Sequence, residues 1–443
     1  MKKLAGIIIL IVVVVLVAAP YFTGKFAETE INNMVTVLNQ TPSQNGTTEI
    51  LSYERSVFNT TSSYRYTLPA HFSQMFGNIV SFEYNCDINH GITGIDYVCH
   101  LMNNESYSAF INEYFEGNDP ISMNGVVSLF GGLTQFITID EIKDLKSDGT
   151  TFNLAKTELS LTTDKNFSDF IVKGDLPSMS ISDSNGTMTL NKLALGADLA
   201  KIQETLFSGD MNFSIDDFKF DKENETFSLN DLKFSSSSYE DGDNLDTSAT
   251  FSINEINTAD GPFSSIKDGK LELEMNGVNQ EALVEYNSFW QEMQMDLVSS
   301  LDSESQSNTN PADMMQVLPI LEKILTEDLD LDINLSGKLD DQENSMKLSL
   351  DLLDSVTMAD AMTLAIAPQD VLEKIDFKLS ASFDKDTLNI QPQAANTIMN
   401  SPLFKESSDS YNIELELGSE IEINDEAMTF EELQMMVMTS AIQ

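Results

Sequence analysis

The sequence predicts an α+β protein: a large, curved, mainly antiparallel β-sheet with interspersed amphipathic helices, preceded by one N-terminal transmembrane helix. Three observations predict this fold class. Runs of alternating apolar and polar residues recur along most of the 443 residues, as expected for strands with one buried and one solvated face. Helical patterns with a single apolar stripe lie between groups of strands. One uncharged apolar run stands near the start of the chain.

The apolar run from Leu4 to Gly24 contains no charged residue, and roughly 20 apolar residues span a bilayer as a helix. Two lysines precede the run, so the positive-inside rule keeps the N-terminus in the cytoplasm and exports the rest. A cleaved signal peptide is the alternative, with Val17-Ala18-Ala19 as its small-residue site. Because Pro20 would follow the cut and the run is long for a signal peptide, we favour a retained anchor.

Alternating patterns predict antiparallel strands through the first half of the exported region. A helix over residues 25–40 comes first, and strands follow over residues 53–58, 63–68, 79–84, 135–141, 151–162, 179–184, 187–195, 213–220 and 226–234. Asn185-Gly186 lies between two of these runs, which is the strongest short signal of a hairpin. Short helices are expected over Ser106–Phe115 and over Ala197–Phe207, where the apolar residues share one helical face.

The polar segment Ser235–Ser248 has no packing potential and predicts an internal loop or a domain boundary. The chain would then consist of an anchor (1–25), a strand-rich half (26–240) and an α+β half (241–443), the last two being separate domains or one continuous fold. The second half predicts helices over residues 279–301, 311–325, 359–365 and 371–374 and from residue 429, with strands over 250–256, 269–275, 329–339, 345–353, 375–383, 387–390, 411–417 and 420–423.

The composition argues against two classes of function. With 71 acidic against 24 basic residues, the net charge is −47, and nucleic-acid binding requires basic residues that displace counterions from phosphates. We therefore expect no nucleic-acid partner. The sequence also lacks the common signatures of hydrolases, metalloproteases, nucleotide-binding and dinucleotide-binding enzymes. Carboxylates are too numerous to single out a catalytic pair, so we predict a non-enzymatic protein without a cofactor.

Both cysteines and two of the three histidines lie in one short stretch, as Cys86, His90, Cys99 and His100. Two thiolates and two imidazoles could complete a tetrahedral zinc site, but their spacing matches no common structural zinc pattern. We favour the alternative, a Cys86–Cys99 disulfide across a turn at Gly91–Gly94, because disulfides persist in exported domains. Both histidines would then be ordinary polar residues.

Several short motifs mark the first hundred residues. Tyr21-Phe22-Thr23-Gly24-Lys25 ends the apolar run, a strand follows over Tyr53–Phe58, and His90-Gly91 comes after another strand. With these motifs the chain resembles the YdgA-like family of bacterial proteins of unknown function. Thr23-Gly24-Lys25 and His90-Gly91 are the most specific parts of the resemblance. It implies an inner-membrane anchor with a periplasmic body, self-association and no established catalytic activity.

These observations leave three hypotheses for the function. The first is a non-enzymatic envelope protein that binds lipid-like ligands, or another envelope component, on its extended sheet. The second is a scaffold or homo-oligomer that uses the amphipathic helix over 279–301 and the Met-rich helix over 429–443, although such helices can simply cover a sheet. The third is a carboxylate-dependent hydrolase of envelope polymers.

Overall fold

The structure is a computed structural model that consists mainly of β-strands. It describes residues 19–29, 46–69, 81–102, 119–129, 131–147, 149–203, 206–222, 225–258, 264–301, 311–357, 371–390 and 401–442, with isolated positions at 31–33, 35, 36, 39, 111, 112, 115, 117, 359, 360, 398 and 399. Within these residues, 22 strands form a large open sheet with few helices, and the described strand pairs are antiparallel. The prediction of a mainly antiparallel sheet is confirmed.

The chain divides into two compact units, Met1–Pro177 and Ser178–Gln443. The first unit contains β1 (Thr47–Arg55), β2 (Asn59–Thr67), β3 (Ser81–His90), β4 (Gly94–Leu101), β5 (Ile121–Ser128), β6 (Leu133–Ile139), β7 (Ile142–Ser147), β8 (Thr150–Leu154), β9 (Thr157–Thr163) and the start of β10 (Asp169–Asp183). Strands β1 to β6 pair in sequence order, β9 pairs with both β6 and β10, and β7 forms a hairpin with β8.

The core of the first unit lies between the sheet and the N-terminal helix, whose described part covers residues 19–29. Ala27 of this helix is fully buried against Cys86, Ile88, Ile95 and Cys99 of the β3–β4 hairpin. Alternate positions of a strand share one face, so the buried residues of β3 and β4 all belong to the face that the helix covers.

The second unit is a meander of long strands. It contains the end of β10, then β11 (Gly186–Gln203), β12 (Leu206–Lys222), β13 (Glu225–Asp241), β14 (Asn244–Thr258), β15 (Ser265–Asn279), β16 (Asp330–Leu339), β17 (Gln342–Leu352), β18 (Ile375–Asp384), β19 (Lys405–Glu406), β20 (Ser410–Leu417), β21 (Ile421–Ile423) and β22 (Glu426–Met428). Its described helices cover Gln280–Leu301, Pro311–Ile324, Lys385–Ile390 and Phe430–Ile442. Strands β11 to β18 pair in sequence order and β18 pairs with β20. Most neighbours are joined by short turns, whereas β15 and β16 are joined through the two longest described helices.

The helices of the second unit cover part of one sheet face. Val278, Leu329 and Leu352 are buried in a second core, against which Leu283 and Ile324 of the two longest described helices pack. These helices confirm the predictions over 279–301 and 311–325. The C-terminal helix is confirmed as well, and it begins with a capping box: the Glu432 carboxylate accepts a hydrogen bond from the Thr429 amide at 2.8 Å, and the Glu432 amide donates to the Thr429 hydroxyl at 3.3 Å.

Two predicted elements of the second unit are wrong because hairpin pairing overrides local composition. The helix predicted over Ala197–Phe207 is strand instead, since β11 continues to Gln203 and pairs with β12 along nearly its whole length. Leu193, Leu195, Ala197 and Leu199 share one face of β11, and cross-strand packing outweighs the helix propensity of leucine and alanine. The loop predicted over Ser235–Ser248 is the β13–β14 hairpin, which turns at Gly242.

Two smaller predictions also need correction. Residues 387–390 belong to the short helix Lys385–Ile390 rather than to a strand, because the Asp384 carboxylate accepts hydrogen bonds from the amides of Asp386 and Thr387 and caps the helix. The strand predicted over residues 151–162 is divided between β8 and β9.

Other predictions lie wholly or partly outside the described residues. Of the predicted anchor over residues 4–24, residues 4–18 lie outside the described part of the chain. The helices predicted over 106–115 and 359–365 are described only at isolated positions. Among the described helices, none combines the length and apolar character needed to cross a membrane. The division into residues 26–240 and 241–443 stays a prediction.

Candidate functional site

The two most specific motifs of the sequence meet in the first unit. The Thr23 hydroxyl lies 2.8 Å from the Gly91 carbonyl oxygen, to which it can donate, and 2.9 Å from the carbonyl of Pro20 in its own helix. Gly24, the next residue, packs against the imidazole of His90. Thr23 and Gly24 are buried and Lys25 is exposed. We call this contact between residues 23–24 and 90–91 the helix clamp, because it holds the N-terminal helix on the β3–β4 hairpin.

The N-terminal helix can approach the His90 ring this closely only because residue 24 is a glycine. A Cβ atom at this position would lie 2.9 Å from His90 Nε2 and closer still to Cε1 and Nδ1. Such distances are far below van der Waals contact, so an alanine would force the helix away from the hairpin. The glycine therefore serves the packing of the helix against the hairpin.

Both nitrogens of the buried His90 ring have partners. Nδ1 lies 3.0 Å from the Val57 carbonyl oxygen, and Nε2 lies 2.9 Å from the Thr60 hydroxyl. A carbonyl can only accept, so Nδ1 carries the proton, and in the neutral ring Nε2 accepts from Thr60. Since these bonds use both ring nitrogens, His90 is a structural part of the clamp.

Arg55 of β1 contacts the same helix at two further residues. Its guanidinium lies 3.4 Å from the Glu28 carboxylate and 5.2 Å from the centre of the Tyr21 ring. A guanidinium over an aromatic ring is attracted by the negative face of the ring. The N-terminal helix is thus fixed by buried contacts at Thr23 and Gly24 and by more exposed contacts to Arg55.

The cysteines lie opposite each other on β3 and β4. Cys86 and Cys99 are register partners, both are buried, and their Cα atoms are 4.0 Å apart with the sulfurs at bonding distance. The structure does not bring the histidines to them as zinc ligands. His100 follows Cys99 on the strand and therefore faces the opposite side of the sheet, where it is exposed. In the described part of the chain, no group of three or more His, Cys, Asp or Glu residues is arranged to hold a metal ion.

An apolar cavity of about 250 Å³ lies beside the cysteine pair. The described continuation of the N-terminal helix forms one wall and the inner face of the sheet forms the others. We call it the tyrosine cavity, and it is lined by Ile31, Val35, Thr48, Tyr64, Tyr66, Tyr84, Cys86, Ile88, Ile95, Tyr97, Cys99, Met123, Val127, Leu133 and Gln135. Among the described residues that line the cavity, the tyrosines are the only ionisable groups.

Burial raises the pKa of three of the tyrosines that line the cavity. It raises the pKa of Tyr64 to about 12, and it also raises the pKa of Tyr84 and Tyr97 above the ordinary value. The physical cause is the loss of hydration that a phenolate would suffer in this position. These hydroxyls are therefore neutral at physiological pH and can donate hydrogen bonds.

A second candidate surface lies on the sheet of the second unit. Directly opposite residues of antiparallel strands share a face, and the register places one continuous apolar row across the strands from β11 to β20. It contains Leu195, Phe213, Phe234, Phe251, Leu271, Leu335, Met346, Ala381 and Ile413. We call this set the apolar row.

The middle of the apolar row is exposed. Phe251, Leu271 and Leu335, on β14, β15 and β16, have 42%, 38% and 46% of their surface accessible. The row on the opposite face carries Ser252, Lys270 and Ser336 at the corresponding strands. The long helices cover the same face nearer to Met275 and Leu350. An apolar surface therefore remains open beyond them, whereas a sheet of this kind normally buries its apolar face.

The residues of the clamp and the cysteine pair stand out in the sequence as motifs, whereas the cavity and the apolar row do not. The signal for the cavity was present as Tyr64 and Tyr66, which alternate on one strand and hence share a face. The register of the row could not be derived, because β15 and β16 are joined through two helices and their pairing shifts at a bulge between Lys267 and Lys270.

Comparison with known proteins identifies a family. Comparison with curated proteins gave no match, and comparison with solved structures gave none. A family model described as a bacterial protein of unknown function, DUF945, matches residues 1–442. The chain therefore belongs to this bacterial family, DUF945.

Proposed function

We propose that this chain is a non-enzymatic protein of the bacterial cell envelope that binds lipid-like ligands on the apolar face of its sheet. In this proposal residues 4–24 anchor the chain in the inner membrane, and the two units lie in the periplasm. The YdgA-like resemblance, carried by Thr23-Gly24-Lys25 and His90-Gly91, supports the same location.

Two features favour an exported location. The run from Leu4 to Gly24 is uncharged and follows two lysines, the arrangement that retains a helix in the membrane with its C-terminal side outside. The buried pair of Cys86 and Cys99 lies at disulfide distance, and structural disulfides persist in oxidising compartments such as the periplasm. Both features suit a periplasmic body on a membrane anchor.

The exposed middle of the apolar row carries the proposal of a lipid-like ligand. Phe251, Leu271 and Leu335 are aligned across three neighbouring strands and are each more than a third exposed. Each methylene group of an acyl chain that leaves water contributes about 0.8 kcal/mol. An alkyl chain laid along this row would therefore bind through surface burial alone, without a charged partner.

Lipid analysis of the purified chain tests the proposal. The full-length protein is extracted from membranes with a mild polymer, and the bound lipid is quantified by mass spectrometry for three forms of the protein. In the test variant Phe251, Leu271 and Leu335 are changed to Ser. In the control variant the opposite row is changed as Ser252→Ala, Lys270→Ser and Ser336→Ala. Lipids around the anchor contribute equally to all three forms, so a difference in bound lipid per chain reports lipid binding at the sheet.

We expect the wild type and the control variant to carry more lipid per chain than the test variant. Equal lipid content in all three forms would contradict lipid binding at the row. Native mass spectra of the same samples also report the number of subunits, and a dimer that the serine variant dissociates would favour the scaffold or homo-oligomer hypothesis. Loss of a cell phenotype on changing single surface carboxylates, with lipid binding intact, would favour the hydrolase hypothesis.

A further inference from the structure

We propose that the tyrosine cavity of the first unit is a binding site for an uncharged aromatic molecule about the size of two fused rings. The lining residues all lie between Ile31 and Gln135, within the first unit. The site is therefore separate from the apolar row of the second unit, and it goes beyond the lipid binding proposed there.

The volume of the cavity sets the size of the ligand. At about 250 Å³, it is larger than an apolar cavity of about 150 Å³, which is known to stay dry and to bind benzene. A void of this size leaves the lining side chains without contacts on one side, and a ligand that fills it regains those dispersion contacts. A molecule with two fused rings corresponds to the available space.

The chemistry of the lining sets the ligand class. Because the described lining residues offer no oppositely charged group, a charged ligand would lose its hydration without a compensating partner. The rings of Tyr64, Tyr84 and Tyr97 and the thioether of Met123 all border the cavity. Aromatic pairs and sulfur–aromatic contacts stabilise a ring beyond its burial alone. Neutral tyrosine hydroxyls can in addition donate to a ligand oxygen.

The clamp keeps the cavity formed in the absence of a ligand. Ile31 and Val35, in the continuation of the N-terminal helix, supply one wall. The contacts of Thr23 with Gly91 and of Gly24 with His90 hold the start of that helix on the sheet. A preformed site costs less ordering on binding than one that has to fold around its ligand.

Naphthol binding tests the site directly. The full-length chain is placed in lipid nanodiscs, naphthol binding is measured by titration calorimetry, and partition into empty discs is subtracted. Naphthoate, a carboxylate of similar size, serves as the charged counterpart. In the variant Val127→Phe an extra ring fills the cavity from the sheet side. The matched control is Val126→Phe, since Val126 is half-exposed on the opposite face of the same strand.

We expect saturable naphthol binding by the wild type and by V126F, with an affinity at least about tenfold lower for V127F, and weak binding of naphthoate. Because V127F could distort the sheet, Val35→Phe fills the same space from the helix side, and near-ultraviolet circular dichroism checks the packing of each variant. The proposal would be overturned if the wild type showed no saturable naphthol binding, or if folded V127F and V35F bound naphthol as tightly as the wild type. It would also be overturned if naphthoate bound the wild type as tightly as naphthol does. The serine variant of the apolar row should still bind naphthol, which separates the two sites.

Discussion

Gly24 and His90 are distant in the sequence, yet their contact determines where the N-terminal helix can lie on the sheet. The imidazole is held by Val57 and Thr60 on β1–β2 and its connection, so it cannot turn away from the helix. The helix in turn can approach the ring only through a residue without a side chain. The two motifs are thus two sides of one contact, and changes to either side should have similar effects.

The substitution Gly24→Ala tests this contact. The added methyl group would overlap the His90 ring, and overpacking of this kind costs about 1–3 kcal/mol. We expect a lower unfolding midpoint for the first unit, measured by denaturant titration. Gly418→Ala is the matched control, because a Cβ atom there would meet one backbone oxygen at 3.4 Å, an ordinary contact. Equal midpoints for G24A and G418A would mean that the clamp is not closed in solution.

The hydroxyl of Thr60 is the second test of the clamp. In Thr60→Val the His90 Nε2 atom loses its partner while the shape of the side chain is kept, and a buried polar atom without a partner costs about 1–3 kcal/mol. Thr61→Val places the same change on the exposed neighbouring position. Thermal unfolding of both variants should show a lower midpoint for T60V alone. A matching decrease in T61V would point to strand propensity instead of the hydrogen bond.

The strands show which parts of the fold local patterns can predict. Hairpins with clear turn chemistry, such as the one at Asn185-Gly186, were predicted correctly because the signal lies within a few residues. The β13–β14 hairpin was missed although Asp241-Gly242 carries the same kind of signal. Its four consecutive serines suggested a loop, but they pair with β14, and Ser237 and Ser248 share a hydrogen bond of 2.8 Å.

The clamp is a feature that could not be predicted from the sequence. Its residues were identified as motifs, but nothing local indicates that residues 23–24 contact residues 90–91. Contacts of that kind depend on long-range packing, which periodicity does not encode. The same limit applies to the cavity, since a void is a property of several elements packed together and not of any one of them.

Three aspartates lie side by side on the polar face of the sheet in the second unit. Asp351 of β17 lies directly opposite Asp330 on β16 and Asp376 on β18. Burial, followed by the charge of Asp330, raises the pKa of Asp351 above its usual value. Because the folded state then favours the neutral carboxyl, the stability that this group adds is present below the unfolded pKa and is lost as pH rises through the folded pKa.

The substitution Asp351→Asn should therefore stabilise the second unit near neutral pH. Like charges directly opposite each other cost about 0.2–1 kcal/mol, and the variant should gain a comparable amount near neutral pH but little in acid of about pH 3, where the carboxyl is protonated. Urea unfolding at both pH values measures the difference. Asp87→Asn is the control, because Asp87 is exposed and opposite the neutral Thr61 and Val98. A gain that is the same in acid would contradict the charge explanation.

The cysteine pair should stabilise the hairpin that carries His90. Closing a loop between Cys86 and Cys99, a separation of 13 residues, contributes about 3 kcal/mol by restricting the unfolded chain. We expect an intact mass of the full chain lower by two hydrogens, and a lower unfolding midpoint when both cysteines are changed to Ala. A reductant should lower the midpoint of the wild type to that of the double variant and leave the variant unchanged. Free thiols after unfolding without reductant would disprove the bond.

The whole molecule carries a strong negative field, and its ion pairs do little to offset it. Acidic residues outnumber basic ones by 71 to 24, so most carboxylates have no cation to pair with. The described ion pairs are mostly between exposed side chains, such as Lys143 with Glu141 and Lys156 with Glu158. Exposed pairs contribute about 0–1 kcal/mol each. Repulsion among the remaining carboxylates should therefore dominate the response of the chain to salt.

We accordingly expect the unfolding midpoint to rise between about 0.02 M and 0.5 M sodium chloride, because the Debye length shrinks and like charges on the folded surface are screened. Scanning calorimetry in sodium chloride and in potassium chloride at equal ionic strength measures the effect. Screening predicts the same rise with both cations, whereas a rise with sodium alone would indicate a specific ion site. A midpoint that falls with salt would mean that the ion pairs outweigh the repulsion, and the net charge would then be a poor guide to the stability of this fold.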